Sequence, residues 1–130
     1  MSTSPKQLEN TIPVLPVRDL ARSIEFYTRT LGFTLDWGGG DGSTICSVSR
    51  DGCCIMLAQG FGGSCPQWVW IGLEDDTLFE EWKKRGVTVR QEPKNWTWAY
   101  EMKFEDTDGN VRWVGTEPKN TQPREDEKQG

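Results

Sequence analysis

Thr11 to Phe33, TIPVLPVRDLARSIEFYTRTLGF, is the stretch that decides the fold. Its first seven residues favour a strand, but two of them are prolines, which cannot donate to a strand ladder. An edge or irregular strand is therefore expected at 11–17. Asp19 is a suitable N-cap for a helix that ends at Gly32, where glycine accepts the left-handed conformation. The apolar stripe of this helix consists of Leu20, Ile24, Tyr27 and Leu31.

Three further strands are predicted beyond this helix, at 33–37, 43–49 and 53–58. The glycine-rich segment 38–42 separates the first two, and it lacks both the lysine and the following helix of a phosphate-binding loop. Asp51-Gly52, between the last two, is a strong signal for a tight hairpin turn. The sequence up to residue 60 thus predicts one strand–helix–strand–strand–strand module.

The same order of elements recurs roughly 55 residues later, a spacing typical of a duplicated unit. A strand at 68–73 precedes a helix that a capping box opens, with Thr77 as N-cap and Glu80 as its partner. Gly86 ends this helix. Strands follow at 87–91, 99–104 and 110–114, the last two around the turn Asp108-Gly109. We therefore predict one α+β domain of two βαβββ modules, about 11–60 and 66–116.

The two ends of the chain differ in composition from this domain. Residues 1–10 are polar and are expected to be flexible, and residues 117–130 contain no aliphatic or aromatic side chain and are expected to form a disordered tail. The first ten residues lack the apolar segment of a secretory signal, and no stretch is long enough to span a membrane. These features predict a cytoplasmic protein, free of membranes, whose cysteines are reduced and mostly buried.

Composition excludes several classes of function. The formal net charge of −5 argues against a nucleic-acid partner, because such proteins neutralise phosphates with basic surfaces. The chain contains no histidine, which excludes imidazole metal sites and histidine-based acid–base catalysis. Its seven tryptophans are the unusual feature, and they indicate either an indole-rich core or an aromatic binding surface.

Strand alternation assigns these indoles to faces. In WVWIGL at 68–73, Val69, Ile71 and Leu73 share one side, and Trp68 and Trp70 share the other. The aliphatic side is expected to pack on the helix of its module, which leaves the indoles on the uncovered face of the sheet. Only another sheet, a second subunit or a ligand can cover such a face. We therefore expect a concave groove and a homodimer.

The sequence at 11–37, together with FEDTDGNVRWVG at 104–115, resembles the vicinal oxygen chelate superfamily of glyoxalases, extradiol dioxygenases and bleomycin resistance proteins. Three stretches are most similar to the bleomycin resistance proteins: PVLPVRDLARSIEFYTRTLGF, WVWIGLEDDTLFEEW and WAYEMKFEDTDGN. The resemblance extends from about Ile12 to Glu117. It implies a glyoxalase/bleomycin-resistance-like fold in a dimer with concave sheets.

The enzymes of that superfamily hold a divalent metal at four strand positions. The matching residues here are Ile12, Met56, Trp68 and Trp113, none of which is a ligand for a hard or borderline ion. The resemblance therefore implies no resident metal, no cofactor and no catalytic residue. It implies instead that each of two grooves at the dimer interface sequesters one bleomycin-type molecule, with or without the drug's own metal ion, and leaves the drug unmodified.

The candidate ligand-binding residues follow from face, exposure and resemblance. The acid–indole pair Asp36-Trp37 matches a family position beside the groove, where a carboxylate would attract a cationic drug tail. Trp98 comes from a polar loop and matches a position that stacks on the drug, and alternation would place Tyr100 on the same face. The remaining candidates lie on the uncovered strand faces and are Met56, Trp68, Trp70 and Trp113. Two alternatives stay open: a metal-dependent lyase or dioxygenase of this fold, and a binding protein for another aromatic small molecule.

Overall fold

The computed structural model describes residues 7–60 and 66–127. The first module contains β1 (Val14–Val17), α1 (Leu20–Glu25) continued by a π-helical turn (Phe26–Thr30), β2 (Thr34–Gly38), β3 (Ile45–Arg50) and β4 (Cys53–Gln59). The second contains β5 (Trp68–Gly72), α2 (Thr77–Lys84), β6 (Thr88–Asn95), β7 (Tyr100–Glu105) and β8 (Val111–Thr116). A short 3₁₀ helix (Glu125–Glu127) follows. The predicted order of elements is confirmed.

Each module forms one four-stranded mixed sheet. The strand order is β1-β4-β3-β2 in the first sheet and β5-β8-β7-β6 in the second, with the first pair parallel in both. The predicted hairpin between β3 and β4 is present, and both turn residues have positive φ, 52° at Asp51 and 80° at Gly52. This mirror-image turn matches the twist of the strands that it joins.

One hydrophobic core joins the two modules. The side of each sheet that packs into it is called its core face, and the opposite side its outer face. The predicted stripe of α1 is largely buried in this core. Trp82 of α2 is 2% exposed, and its indole Nε1 donates to the carbonyl oxygen of Leu31 over 3.3 Å. The two modules therefore pack helix side to helix side.

The hairpin between β7 and β8 fastens the second module to the first. Asp106 accepts a hydrogen bond from the Tyr27 hydroxyl (2.7 Å) and pairs with the buried Arg112 (3.0 Å), which also donates to that hydroxyl. Burial raises the pKa of Tyr27 above its ordinary range. Asp108 accepts from the backbone N–H of Arg18 (2.9 Å). Because these groups come from both modules, the hairpin acts as a clamp between them.

Several predicted boundaries were wrong. The capping box is absent: α2 begins at Thr77 rather than after it, and Asp75 accepts from the Thr77 backbone N–H over 2.9 Å. Thr77 is therefore the first residue of the helix, and the N-cap residue Asp76 forms no side-chain capping hydrogen bond. The last strand before the tryptophan loop is longer than expected, because β6 continues to Asn95.

The expected disorder of the C-terminal tail is wrong for residues 117–127. Asn95 Nδ2 donates to the carbonyl oxygens of Lys119 (2.9 Å) and Gln122 (3.0 Å), and its Oδ1 accepts from the Lys119 backbone N–H (2.8 Å). A polar composition predicts poor hydrophobic burial, but hydrogen bonds from the Asn95 side chain join the tail to β6. Residues 1–6 and 128–130 lie outside the described part of the chain.

The described cysteines differ in exposure. Cys46 is buried, Cys54 is half-buried and Cys53 is exposed, and all three are free thiols. The expectation of buried thiols therefore fails at Cys53, which lies beside the hairpin turn. Cys65 lies outside the described residues. Within 7–60 and 66–127, no helix is long and apolar enough to cross a membrane.

Candidate functional site

The outer face of the second sheet presents three indoles. Trp68 and Trp70 alternate with the core-facing Val69 and Ile71 along β5, and Trp113 pairs with Trp70 from β8. Trp68 is 53% exposed and Trp70 is 47% exposed, high values for such large apolar side chains. The alternation predicted from WVWIGL is therefore confirmed.

Trp113 lies at the centre of this group. Its ring meets those of Trp68 and Trp70 edge to face, with centroid distances of 6.4 and 5.3 Å. Its indole Nε1 donates to Glu101 Oε2 over 2.7 Å, and Glu101 is only 2% exposed. The hydrogen bond orients the central ring, and the edge-to-face contacts orient its two neighbours.

Two cations lie on the same face. Lys103 Nζ is 5.6 Å from the centroid of Trp68 and 5.1 Å from that of Trp113, and Arg90 Cζ is 5.5 Å from Trp68. Lys103 Nζ also donates to Gln91 Oε1 over 3.2 Å. Indole rings attract cations through their quadrupoles. Positive charge is thus concentrated on one face of a protein whose net charge is negative.

Gly115 provides the space that Trp70 occupies. A Cβ added to Gly115 would collide with the six-membered ring of Trp70, and one added to Gly72 would contact its Nε1 at 3.7 Å. The two glycines pair with each other across β5 and β8. Because neither carries a side chain, the indole packs directly over the backbone of the sheet.

On the first sheet, Asp36 and Trp37 lie side by side at a β-bulge. The pairing of β2 with β3 shifts between Leu35 and Trp37, which leaves Asp36 as the extra residue. Asp36 accepts hydrogen bonds from the hydroxyls of Ser47 (3.1 Å) and Ser49 (2.7 Å). Trp37 is 47% exposed. The bulge therefore presents an acid and an indole together, as the sequence predicts.

The remaining candidate on the first sheet is Met56. It pairs with Val14 of β1 and Ser47 of β3 and is half-buried on the outer face. Both sheets bury their core faces in one common core, so their outer faces point away from each other. Within one chain, Asp36, Trp37 and Met56 therefore do not meet the indoles of the second sheet.

Trp98 forms a third group with Trp96, in the loop between β6 and β7. The two rings stack with a centroid distance of 5.0 Å, and Trp98 is 58% exposed. The residue between them, Thr97, donates from its backbone N–H (3.0 Å) and its hydroxyl (2.7 Å) to Asp126 in the tail. These bonds lower the pKa of Asp126. The tail thus restrains the loop that carries the stacked pair.

Tyr100 and Trp98 do not share one strand face, so the prediction that alternation places them together was wrong. Trp98 precedes the strand, so alternation does not relate the two residues. Tyr100 lies toward helix α2, where its ring stacks on Phe79 with a centroid distance of 5.6 Å. Lys119 Nζ of the tail lies 4.8 Å from the centroid of the Tyr100 ring. Tyr100 therefore belongs to the packing of α2 and the tail.

The superfamily's metal does not fit the residues present here. Met56 lies on the first outer face and Trp68 and Trp113 on the second, and no imidazole or carboxylate stands at any of the four matching positions. Across the described ranges, no group of three or more His, Cys, Asp or Glu is placed to hold a metal ion. We derive no metal-dependent step from this site.

Sequence reasoning missed the polar groups that accompany the indoles. Glu101 and Lys103 alternate with the core residues Met102 and Phe104, so the outward direction of both was readable from the pattern of β7. The contact of Lys103 with indoles from two other strands was not readable, because it depends on the order of the strands in the sheet.

A cavity of about 580 Å³ lies elsewhere, between the modules. Its lining includes the core-side residues Phe33, Val69, Ile71 and Leu78. Among the described residues that line it, Trp70 is the one predicted site residue. The other predicted site residues lie outside this cavity.

Comparison with known proteins assigns the class. The model of the Glyoxalase/Bleomycin resistance protein/Dioxygenase superfamily matches residues 11–114. The chain belongs to this superfamily, and its two sheets have the glyoxalase/bleomycin-resistance-like fold. Among curated proteins, none matches the sequence.

Several solved structures share the fold. TnmS3, an antibiotic binding protein from Streptomyces sp. CB03234, is 25% identical with a TM-score of 0.75, over 89% of this chain and 100% of that one. A glyoxalase/bleomycin resistance protein from the same organism is 28% identical with a TM-score of 0.70, over 82% and 99%. TioX from Micromonospora sp. ML1 has a TM-score of 0.75 at 16% identity, over 83% and 98%, which shows the fold alone.

Proposed function

We propose that this protein binds an antibiotic and sequesters it without modifying it. The observation that carries the proposal is the outer face of the second sheet, where three indoles are held in fixed orientation and two remain about half exposed. Exposed aromatic groups of this kind are typical of binding surfaces. The likeness to an antibiotic binding protein supports the same role.

We propose further that the binding groove forms between two copies of the chain. The outer faces of one chain point away from each other, so the acid–indole pair of β2 reaches the three indoles only if a second copy supplies it. A homodimer that apposes the first sheet of one copy to the second sheet of the other creates two equivalent grooves by symmetry. It also covers the exposed Val14.

Bleomycin-type glycopeptides are the ligands that we propose first. Asp36 would attract the cationic tail, Trp37 and Trp98 would stack on the planar bithiazole, and the drug would enter with or without its own metal ion. Aromatic contacts contribute about 0.5–1.5 kcal/mol each beyond area burial. Several of them, together with the carboxylate, account for micromolar affinity, about −8 kcal/mol. The protein would need neither a cofactor nor a metal of its own.

A drug titration tests this proposal. Metal-free bleomycin is titrated into protein treated with a chelator while tryptophan fluorescence is recorded, and light scattering gives the mass. We expect saturation at one drug per chain, a dimer, and drug recovered with unchanged mass after long incubation. A conversion of the drug with multiple turnovers would contradict sequestration, and a monomer that still saturates would contradict the shared groove.

A further inference from the structure

The charges on the outer face of the second sheet point to a particular ligand group. Lys103 is half-buried between the rings of Trp68 and Trp113. Among the ion pairs of the described residues, none includes Lys103 or the neighbouring Arg90. Two cations therefore face outward beside aromatic rings without a carboxylate in ion-pair contact.

The amide of Gln91 and the acids of β7 are the polar groups near Lys103. Gln91 uses its Oε1 to accept from Lys103, while its Nε2 is buried and has no hydrogen-bond partner in the described structure. A buried donor without a partner is unusual and calls for an acceptor. Two acids alternate with the core residues of β7 and so lie on this face. Glu101 is 2% exposed and already accepts from Trp113, and Glu105 is half-buried two residues beyond Lys103. A ligand that stacks on the exposed indoles therefore meets the Lys103 ammonium, whereas the amide N–H of Gln91 is buried.

We propose that the outer face of the second sheet is a subsite for a planar aromatic ring carrying an acidic oxygen, such as a carboxylate or phenolate, and that Lys103 selects the anion. This proposal rests on the antibiotic-binding role proposed above and specifies the chemistry of one half of its groove. The ring would stack against the exposed faces of Trp68 and Trp70. Its oxygen would accept a charge-assisted hydrogen bond from Lys103, which is stronger than a neutral one.

The opposite sheet has the opposite charge. Asp36 faces outward on the first sheet between two serine hydroxyls, and it suits a cationic group. A groove formed from both faces would therefore orient a ligand that is anionic near its ring and cationic at its other end. The cationic tail assigned to Asp36 and the anionic ring assigned to Lys103 are compatible parts of one molecule.

Two probes that share a ring and differ in charge test this assignment: anthraquinone-2-carboxylate and its trimethylammoniomethyl analogue. Each is titrated into protein labelled with ¹⁵N at the indole nitrogens, and the indole N–H signals report binding. We expect the carboxylate to bind at least about tenfold tighter than its cationic analogue, the effect of one charge-assisted hydrogen bond.

The variants Lys103→Met, Lys103→Arg and Lys84→Met identify the group responsible. Lys84 is exposed on α2, so Lys84→Met makes the same change in net charge away from the face. We expect Lys84→Met and Lys103→Arg to retain the preference and Lys103→Met to lose most of it. A urea melt of each variant checks folding, and if Lys103→Met is unfolded, the comparison of the two probes on the wild type and Lys103→Arg decides.

The outcomes separate this inference from the proposed function. If bleomycin binds but the carboxylate has no advantage over its analogue, the anion subsite is wrong and the antibiotic role stands. If the carboxylate is preferred through Lys103 while bleomycin does not bind, the subsite stands and the bleomycin assignment fails. If Lys103→Met loses affinity for both probes equally, the residue only packs the rings, and the inference is overturned as well.

Discussion

The two sheets share one topology but present different chemistry at equivalent positions. A row of four paired residues crosses the first sheet, Val14, Met56, Ser47 and Trp37. The corresponding row of the second sheet is Trp70, Trp113, Lys103 and Gln91. The core faces of both sheets are apolar and enter one cluster. The core faces are therefore alike in chemistry, whereas the outer faces differ, and in the function proposed above they form two halves of one groove.

The loops beside these rows differ in the same way. Between β2 and β3 the chain has a glycine-rich loop, in which Gly39 and Gly42 adopt positive φ. Between β6 and β7 the equivalent loop carries the stacked Trp96 and Trp98 and is bonded to the tail. One loop has backbone conformations that favour glycine, and the other carries an aromatic surface.

The largest effect is expected from breaking the clamp that keeps the two sheets in a fixed relation. Asp106→Asn leaves the buried Arg112 without its counter-charge, and removal of one partner of a buried pair typically costs about 3–5 kcal/mol. Urea unfolding measures the change in free energy. Asp41→Asn, in the exposed loop of the first module, is the matched control and should change stability by less than about 0.5 kcal/mol. Equal midpoints for the two variants would refute the clamp.

The next effect is on the aromatic loop. Trp98→Ala should weaken bleomycin binding by about 2 kcal/mol, roughly thirtyfold, because it removes an exposed stacking group. Its effect on folding should be much smaller, since surface substitutions usually stay within about 0.5 kcal/mol. A drug titration and a denaturant melt on the same variant measure both. A stability loss as large as the binding loss would mean that Trp98 is part of the core.

A smaller effect is expected when a glycine of the second sheet is replaced by the alanine that stands at the equivalent position of the first sheet. Ala58 stands on β4 at the position that Gly115 occupies on β8, two residues after Met56 and Trp113. Gly115→Ala should displace the Trp70 ring. Overpacking of this kind lowers the free energy of unfolding by about 1–3 kcal/mol, and the loss is smaller if the half-exposed ring can move outward. Indole N–H signals would report the displacement. Ala58→Gly is the reciprocal control, and unchanged Trp70 signals in Gly115→Ala would disprove the contact.

The smallest effect concerns the tail and pH. The pKa of Asp126 is lowered by its hydrogen bonds from Thr97. Since the folded pKa is below the unfolded value of about 3.9, the bond should be intact above that pH and lost as the pH falls through the folded value. Tryptophan fluorescence should therefore stay constant from about pH 7 to 5 and change only below about 4. Asp126→Asn should remove that change, and an identical titration in this variant would assign it elsewhere.

Much of this structure was readable from local pattern. The helical stripe of α1, the turn at Asp51-Gly52 and the alternation in WVWIGL each depend on residues close together in the chain, and all three are present. The outward direction of Trp68 and Trp70 needed only the two-residue period of a strand. The prediction for Tyr100 failed because a distant residue, Phe79, holds it on the core side. The predicted capping box failed locally, because the helix already begins at Thr77.

The sequence by itself determined the two-module order, the buried stripes and the presence of outward-facing indoles and an acid, because strand and helix periods are set by local geometry. Only the tertiary structure decided which of these groups meet. The placement of Lys103 between Trp68 and Trp113 depends on β8 lying between β5 and β7, and the order of the tail depends on Asn95 and Thr97 far earlier in the chain. Such contacts arise from long-range pairing, whose partners no local pattern specifies.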